Sequence, residues 1–320
     1  MGMIAGPIER VACLLCASEQ QQPYLQGADH FFGTPGQWQL VRCERCGLIY
    51  QNPRPTRSAI GGYYPDEYGS YTAAQIGMRA RRGLSGRLAW RALGQRAALL
   101  ERHATAPRAG EPRCLLDIGC AAGFFLEVAQ RRGWMVEGVE LHEPTAMAVQ
   151  ARLGIRVFAG SFEQANFPSG HFDAITLWDV LEHLHDPLAS MREVRRIIRP
   201  GGVVFVRVPN VASYQAKLFG QYWSGYDLPR HLSHFSPKTL SDLLGRAGFR
   251  RIICHYPSGS YPAAAHSVRF WLRAMGASAE VAAQAHRRLL NPLLRIAIGG
   301  PLRLVDRFLG GSNMEVMVQA

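Results

Sequence analysis

Along residues 112–257 of the 320-residue chain, short apolar runs alternate with stretches in which apolar positions recur at helical spacing. Continuous apolar runs are typical of strands buried on both faces, and their alternation with helices is typical of a parallel sheet covered by helices. The predicted strands are residues 114–118, 135–141, 155–159, 172–179, 203–208, 250–255 and 314–319. The pattern predicts an α/β fold with a doubly wound, seven-stranded and mostly parallel sheet.

Polar residues placed directly before proline predict where two helices begin. Asp186 and Ser236 are each followed by proline, which combines an N-cap residue with proline in the first helical position. An earlier helix is expected over residues 85–104, where apolar positions follow helical spacing. Residues 258–312 are predicted to form a helical insertion before the last strand.

Four of the seven cysteines form two pairs in which two residues separate the partners, namely Cys13, Cys16, Cys43 and Cys46. Two-residue spacing lets one tight turn direct two thiolates to a single point, so two such turns complete a tetrahedron around Zn²⁺. Apolar runs at residues 38–42 and 48–50 predict strands beside the second pair, and Gly47 lets the backbone turn under the metal. A disulfide or redox motif is the alternative, but we expect a reducing compartment and see no βαβ unit around the pairs. We therefore predict a closed, structural zinc site.

The net charge of +12 raises the question of a polyanionic partner. Residues 79–113 carry nine arginines against two glutamates, so one helix-sized segment supplies much of the excess. We favour a solvated basic helix over a nucleic-acid surface there. No apolar run approaches the ~18 residues that a membrane span needs, and the first residues are charged too early for a signal peptide. A cytoplasmic protein without a transmembrane segment is expected.

Several residues with chemical potential fall at the carboxyl ends of the first two predicted strands, where ligands bind in such sheets. Asp117, Gly119 and Gly123 surround the first strand-to-helix turn, and Glu140 ends the second strand. The glycines leave room for a ligand at a helix N-terminus, and Glu140 is placed to accept hydrogen bonds from two ribose hydroxyls. Nicotinamide-binding domains share these features, but Phe124 stands where their fingerprint needs glycine. Asp117 also suits an ammonium group better than a pyrophosphate.

Three segments together carry a resemblance to a known family. The first turn reads LLDIGCAAG at residues 115–123, which resembles motif I of class I S-adenosylmethionine-dependent methyltransferases. The fourth strand and its continuation read FDAITLWDVLEHL at residues 172–184, similar to the branch that includes ubiquinone-biosynthesis O-methyltransferases. The turn RPGG at residues 199–202 matches the turn before that family's fifth strand. The resemblance covers residues 112–257 and the final strand, and some bacterial relatives with a four-cysteine module act on sugars, polyketides or cell-envelope intermediates.

The resemblance implies S-adenosylmethionine as the cofactor and assigns a place to each crevice residue. The implied contacts are Asp117, Gly119 and Gly123 for the methionine portion, Glu140 for the ribose, Ser161 and Phe162 for the adenine, and Trp178 and Asp179 for the sulfonium or the acceptor, with Ala121 and Leu141 also in the cofactor-binding set. Ala121 departs from the commoner glycine of the family. The corresponding division of the chain is a zinc module at 1–55, an aromatic linker and helix at 56–110, the catalytic domain at 111–257, the insertion at 258–312 and the final strand at 313–320.

A hydroxyl acceptor must lose its proton, which calls for a histidine or a carboxylate near the reacting centre. The candidates are His183, after the fourth strand, and His231, after the fifth. His183 could equally hold its loop through a backbone hydrogen bond. The segment 222–234 is interpreted as a substrate wall formed by Tyr222, Trp223, Tyr226 and His234, although His234 could instead support the following helix. The aromatic residues 63–71 could form a lid over the cofactor or a packed hinge.

The expected acceptor is a small molecule, a sugar or a lipid-linked intermediate, methylated on a hydroxyl oxygen. One alternative is an RNA base methyltransferase, because a four-cysteine module and a basic charge fit RNA binding, but no motif for base amines follows strand four and the basic segment lacks interleaved aromatic residues. Another is a zinc-ribbon binding protein with an inactive transferase fold. The basic amphipathic stretch 287–309 could cap the active site, form a homodimer contact or lie on an anionic membrane, and we favour the first two.

Overall fold

Five short strands lie in the N-terminal part of the molecule, which carries the four paired cysteines. The computed structural model describes residues 6–65, 68, 84–104, 110–256 and 260–320. The strands are β1 (Ile8–Glu9), β2 (Gln21–Gly27), β3 (Trp38–Cys43), β4 (Ile49–Gln51) and β5 (Arg54–Pro55). β2, β3 and β4 form an antiparallel meander, and β1 pairs with β5. Both strands expected beside the second cysteine pair are present.

The central sheet is built from seven of the later strands. These later strands are β6 (Cys114–Ile118), β7 (Met135–Glu140), β8 (Arg156–Ala159), β9 (Phe172–Trp178), β10 (Ile198–Pro209), β11 (Ser233–His234), β12 (Arg250–His255) and β13 (Asn313–Gln319). The sheet has the order β12-β13-β10-β9-β6-β7-β8, and β11 lies outside it. β13 is antiparallel to both of its neighbours, while the pairs from β10 to β8 are parallel. The predicted seven-stranded, mostly parallel sheet is confirmed.

Helices cover the sheet and form the insertion before β13. They are α1 (Leu84–His103), α2 (Phe124–Arg131), α3 (Glu143–Leu153), α4 (Pro187–Ile197), α5 (Tyr214–Phe219), α6 (Pro237–Arg246), α7 (Ser260–Ala274), α8 (Ala279–Leu289) and α9 (Pro292–Leu309). Asp186 caps α4 by accepting from the Ala189 N–H at 2.9 Å, and Ser236 caps α6 by accepting from the Thr239 N–H at 3.2 Å. Both predicted starts are confirmed. Within the described residues, no helix has the length and apolar character required to span a bilayer.

The fifth strand of the central sheet, β10, begins earlier than the apolar pattern predicts. Ile198 already pairs with Phe172 of β9, and after an irregularity the pairing resumes at Val203. The Pro-Gly-Gly sequence at 200–202 therefore lies within the strand as a bulge. Gly202 is required there because a Cβ would lie 2.6 Å from Ile198 Cγ1 and 2.9 Å from the Arg199 carbonyl oxygen.

The N-terminal sheet and the central sheet share contacts that the sequence does not reveal. β11 follows β10 in the chain but pairs with β4, with Ser233 opposite Tyr50 and His234 opposite Ile49. One continuous apolar core contains Tyr50 together with Ile118 of β6 and residues beyond β11. The cysteine module thus packs directly on the part of the chain that follows β10. The domain boundaries given above stay predictions.

Candidate functional site

The strand order reverses between β6 and β9, which lie side by side in the sheet. From β6 the chain continues to β7 on one side and later returns to β9 on the other. Open α/β sheets bind ligands outside the carboxyl ends of their strands at such a point. Four of the predicted cofactor residues lie there, and we call them the cofactor crevice: Asp117, Gly119, Gly123 and Glu140.

Both crevice glycines are required by the backbone and by close packing. Gly119 and Gly123 have φ values of +68° and +66°, in the left-handed region that favours glycine. A Cβ on Gly119 would lie 2.5 Å from Val180 Cγ2, and one on Gly123 would lie 2.5 Å from Val149 Cγ1. Glycine is therefore required at both positions by the backbone conformation and by close packing, in addition to the predicted room for a ligand.

Asp117 is a buried carboxylate on β6. It accepts a 2.6 Å hydrogen bond from Thr176 Oγ1 on β9. Burial raises the pKa of Asp117 to about 7; the Thr176 hydrogen bond opposes this rise and the nearby Glu140 carboxylate adds to it. In the described part of the chain Asp117 has no cationic partner. A carboxylate in this state favours a ligand that brings a positive charge.

Glu140 lies at the end of β7 and is also buried. Its Oε2 accepts from the Ala121 N–H at 2.9 Å, and its Oε1 accepts from the His142 N–H at 3.0 Å. Burial raises the pKa of Glu140, although these backbone hydrogen bonds counteract the rise. Each carboxylate oxygen retains a lone pair for a further donor. The arrangement is suited to the two ribose hydroxyls expected from the resemblance.

The other predicted cofactor contacts lie in the loops after β6, β7 and β8. Ala121 has φ +46°, a left-handed conformation that non-glycine residues rarely adopt. Leu141 is exposed to solvent, whereas Phe162 is buried. Ser161 precedes the short 3₁₀ turn Phe162–Gln164, and its N–H donates to Gln164 Oε1 at 3.2 Å. Their contacts with a cofactor stay predictions.

Trp178 ends β9, and Asp179 follows it with φ +57°. Asp179 forms an ion pair with Arg207 of β10 at 3.0 Å, and its N–H donates to the Arg207 carbonyl at 2.9 Å. The Trp178 ring lies 5.2 Å from the Phe125 ring and 4.9 Å from the Arg96 guanidinium. Asp179 is therefore oriented by β10, whereas Trp178 packs against α1 and α2.

The two candidate bases, His183 and His231, lie next to each other. Their ring centroids are 4.5 Å apart and the rings are nearly perpendicular. His183 Nδ1 lies 2.8 Å from Tyr64 Oη and 3.0 Å from the Arg230 carbonyl oxygen. His231 Nδ1 donates to the Gly225 carbonyl at 2.9 Å, which leaves Nε2 as its basic nitrogen. Burial lowers the pKa of His183 to about 3 and that of His231 to about 4, so both are neutral near pH 7.

Sequence reasoning missed Glu182, which directly precedes His183. Its side chain is buried, and neither carboxylate oxygen has a hydrogen-bond partner among the described residues. Burial raises the pKa of Glu182 well above its ordinary value, and Asp179 adds to the rise. Glu182, His183 and His231 offer ligand atoms that all lie within 4.8 Å of one another, a mixed set that suits a divalent cation or a hydroxyl group. The sequence does offer one indication of this residue: Glu182 stands beside His183 in the segment that follows β9, the fourth strand of the central sheet along the chain.

Three of the four residues predicted to form the substrate wall are buried. Trp223 and Tyr226 pack on each other, with ring centroids 5.0 Å apart, in a separate apolar cluster. His234 lies in β11 against Tyr226, and burial lowers its pKa well below the ordinary value. Tyr222 is half-buried and lies 5.3 Å from the His30 ring. Of these four, Tyr222 offers the accessible surface.

Arg230 is a second residue that the sequence did not single out, and it is completely buried. Its guanidinium lies 2.7 Å from both Asp29 Oδ1 and Asp227 Oδ1, and it also donates to the Tyr63 carbonyl at 3.0 Å. Asp29 follows β2, so these contacts join the cysteine module to the loop that carries His231. We call Arg230, Asp29 and Asp227 the Arg230 clamp.

The aromatic segment 63–71 is described only in part, and residues 66–67 and 69–71 lie outside the described residues. Tyr63 is buried and its ring meets Trp38 edge-on at 5.4 Å. Tyr64 contacts His183 as described above, and its ring lies 5.1 Å from that of Tyr68. Tyr63 fits a packed hinge and Tyr64 reaches the candidate bases, so both predicted roles stay open.

The four paired cysteines come together, with all Sγ atoms within 4.8 Å of one another. The Cys13–Cys46 and Cys16–Cys43 Sγ distances are 3.4 and 3.6 Å, and none of the four cysteines forms a disulfide. Four thiolates around zinc, each about 2.3 Å from the metal, are about 3.8 Å apart, so the cluster fits a tetrahedral ion. Gly47 has φ +81°, as the predicted turn requires.

Comparisons with known proteins agree with this geometry. Residues 90–254, just over half of the chain, match a family model described as a methyltransferase domain. A ubiquinone biosynthesis O-methyltransferase of Pseudomonas paraeruginosa is 34% identical over 104 residues, 31% of this chain and 45% of that protein. One from Cereibacter sphaeroides is 30% identical over 165 residues, 48% of this chain and 67% of that protein. The chain thus spans less than half the length of the Pseudomonas relative.

A solved structure shows the same fold over a larger share of the chain. Phosphoethanolamine N-methyltransferase 2 of Haemonchus contortus, in complex with S-adenosyl-L-methionine, aligns with a TM-score of 0.52 and 14% identity. The alignment covers 94% of this chain and 68% of that one. The fold, the crevice at the strand-order reversal and the family match agree: the chain belongs to the methyltransferase domain family and has the class I S-adenosylmethionine-dependent methyltransferase fold.

Proposed function

We propose that this protein transfers a methyl group from S-adenosylmethionine to a hydroxyl oxygen of a small molecule, a sugar or a lipid-linked intermediate. The observation that carries the proposal is the pair of buried acids, Asp117 and Glu140, which lie where class I folds bind ligands; Asp117 has no ion-pair partner among the described residues. Family membership supports the reaction class. The names of the Pseudomonas and Cereibacter relatives support an oxygen acceptor.

The residues of the crevice fit the methyl donor. Asp117 would hold its ammonium group, because a cation offsets the penalty of ionising a buried carboxylate. Glu140 would accept from the ribose hydroxyls with the lone pairs that its backbone donors leave free. When bound, S-adenosylmethionine supplies a methyl group made electrophilic by its positively charged sulfur.

We propose that His231 or His183 accepts the proton of the acceptor hydroxyl. Both imidazoles are neutral near pH 7 because burial lowers their pKa values. Such low pKa values make an imidazole a weak base, so the charge that it gains with the proton must be stabilised, and the Asp227 carboxylate lies 3.8 Å from His231 Nε2. The Gly225 carbonyl holds the His231 ring, and Tyr64 with the Arg230 carbonyl holds the His183 ring. The oxygen would keep the electron pair of its broken O–H bond and use that pair to form the new bond to carbon, while the electron pair of the broken carbon–sulfur bond would stay on sulfur and S-adenosylhomocysteine would leave.

We also propose that the four cysteines bind one structural Zn²⁺. Their geometry fits a tetrahedral ion, and a Cys₄ set leaves no open position for chemistry. Metal analysis of the purified protein should find one zinc per chain, and strong chelation should lower the unfolding temperature. A Cys43→Ser variant that keeps both its zinc content and its unfolding temperature would contradict the site.

Labelled methyl transfer tests the proposed reaction. Protein incubated with S-adenosylmethionine carrying a labelled methyl group should label a component of a small-molecule extract, and should leave bulk RNA unlabelled. Calorimetry should show binding of the donor or of S-adenosylhomocysteine. Label that appears on RNA instead would favour the RNA methyltransferase alternative, and failure to bind either compound would reject the activity.

Two variants test the role of the histidines. His231→Ala and His183→Ala should both lower turnover while donor affinity stays the same, because a proton acceptor acts on the reaction and not on donor binding. The loss should reach roughly 10²–10⁴-fold for the histidine that accepts the proton and be smaller for its neighbour. His255→Ala, which changes an exposed histidine on β12, is the matched control. If either substitution weakens donor binding instead, that residue is removed from the role of base.

A further inference from the structure

Helix α9 of the insertion turns its apolar side to solvent. Leu293, Leu304 and Phe308 are 72%, 63% and 80% exposed. Together with Ala297 and Gly300, which are also exposed, they follow helical spacing along one face of the helix. A surface helix normally buries such a stripe, so this face lacks, among the residues that the structure describes, the partner that its composition requires. We call these five residues the α9 stripe.

The opposite side of α9 faces the protein, although it carries a charged residue. Asp306 is buried and accepts a hydrogen bond from Tyr214 Oη of α5 at 3.3 Å. Gly299 and Leu302 are half-buried on the same side, three and four residues apart along the helix. The orientation of α9 is thus fixed by contacts to the body of the protein, and the α9 stripe must point away from it.

The exposed charged residues around the α9 stripe are all positive. The segment 287–309 contains five arginines, all exposed: Arg287, Arg288, Arg295, Arg303 and Arg307. Its one acid is Asp306, which is buried. An exposed apolar stripe flanked by arginines has the composition of helices that lie in the interface of an anionic membrane.

We propose that α9 is a membrane-surface helix that inserts its apolar stripe among the acyl chains of an anionic bilayer, with its arginines at the lipid headgroups. A second copy of the chain is the competing occupant. Because a twofold interface brings the same patch of both copies together, it would place Arg303 and Arg307 near their own counterparts without an exposed acid on the segment to offset them. Anionic lipid offers the complementary charge, and this inference is independent of the methyl acceptor.

Vesicle flotation with the full chain tests the proposal. The protein should float with vesicles of phosphatidylcholine mixed with phosphatidylglycerol, but not with phosphatidylcholine alone, and high salt should weaken binding. The double variant Leu304→Gln with Phe308→Gln should bind roughly tenfold or more weakly, because two apolar side chains no longer enter the bilayer. Arg303→Gln with Arg307→Gln should lose a similar factor and most of the salt dependence.

A matched control changes another exposed apolar residue. Met147→Gln, on α3, should leave vesicle binding unchanged, and unfolding curves should confirm that every variant folds. The proposal is overturned if the chain ignores anionic vesicles, or if the stripe variants bind them as well as the unchanged protein. It is equally overturned if light scattering shows a dimer that the Leu304 and Phe308 changes convert to a monomer, because the stripe then belongs to a second copy.

Discussion

The cofactor crevice and the Arg230 clamp both contain carboxylates that are largely removed from solvent, but the two sites differ in whether an arginine balances the negative charge. In the crevice, Asp117 has no cationic partner in the described part of the chain, whereas Glu140 interacts with His142 and with backbone N–H donors, and burial raises both pKa values. In the clamp, Asp29 and Asp227 lie within hydrogen-bond distance of one guanidinium, that of Arg230. A buried acid that lacks a cation favours a ligand that brings one, whereas a paired acid is complete within the protein. The first arrangement is suited to binding, and the second to holding two segments together.

The largest effect is expected at the clamp. Arg230→Met should lower the free energy of unfolding by about 3–5 kcal/mol, because it leaves the buried Asp29 carboxylate and the largely buried Asp227 carboxylate without their cation. Arg132→Met, which removes a partly exposed ion pair with Glu101, should lower it by about 1 kcal/mol or less. Urea denaturation of both variants provides the comparison. Equal losses would mean that the clamp is not the structural element described above.

A substitution in the crevice should lower donor affinity without lowering the free energy of unfolding. Asp117→Asn keeps the size of the side chain but removes the charge, so we expect donor affinity to fall roughly 10–100-fold, as for the loss of a hydrogen bond to a charged group. The free energy of unfolding should stay the same or rise, because an unpaired buried charge is gone. Calorimetry and urea denaturation measure the two quantities, with the exposed Asp242→Asn as the control. Unchanged donor affinity would remove Asp117 from the ligand site.

The pH dependence of donor binding sharpens the same contrast. The pKa of Asp117 is about 7 in the folded protein against an ordinary value of 3.8, because burial disfavours the ionised carboxylate. The protonated form therefore contributes to the free energy of unfolding fully below pH 3.8, and this contribution is lost as the pH rises through about 7. A cationic ligand binds the ionised form, so affinity should level off above pH 7, up to the pH at which the ammonium group of the ligand loses its own proton, and should fall below pH 7 by up to about tenfold per pH unit. Calorimetry in buffers of different ionisation enthalpy should detect proton release near pH 6. Asp117→Asn should abolish both effects; a pH-independent affinity in the unchanged protein would contradict the assignment.

The smallest effect concerns the backbone of the crevice. Ala121 has φ +46°, so Ala121→Gly should raise the free energy of unfolding by about 0.5–1 kcal/mol. Gly123→Ala should lower it, because a Cβ would lie 2.5 Å from Val149 Cγ1. Urea denaturation of the pair gives both signs. If Ala121→Gly were destabilising, the left-handed conformation at that position would need a different explanation.

Most of the central sheet follows from the sequence, because buried parallel strands are continuously apolar and helix starts carry local signals. Asp186 and Ser236 act as caps where the sequence predicts them. The start of β10 was misplaced because Pro-Gly-Gly is typical of a turn, and whether the chain turns or bulges depends on the neighbouring strand β9. Local patterns do not contain that information.

Within the candidate site, the residues that depend on the backbone path of a single strand-to-helix turn were the easiest to identify. Asp117, Gly119 and Glu140 fall in the crevice because β6 and β7 are neighbours in sequence and in space. Glu182 and Arg230 were missed because their chemistry arises from burial and from partners such as Asp29, 201 residues away from Arg230 along the chain. Trp223 and Tyr226 were expected at a surface but lie in an apolar cluster, since aromatic residues in a loop do not reveal how deeply the loop is packed.

The amino-acid sequence by itself determined the class of fold, the cysteine spacing and the acids at the ends of β6 and β7, because each of these depends on residues close together in the chain. The tertiary structure alone decided that β11 pairs with β4, that Arg230 joins the loop after β10 to the cysteine module, and that the apolar stripe of α9 faces solvent. Burial and charge pairing act between segments that are distant in sequence, so their outcome is set only when the chain has folded.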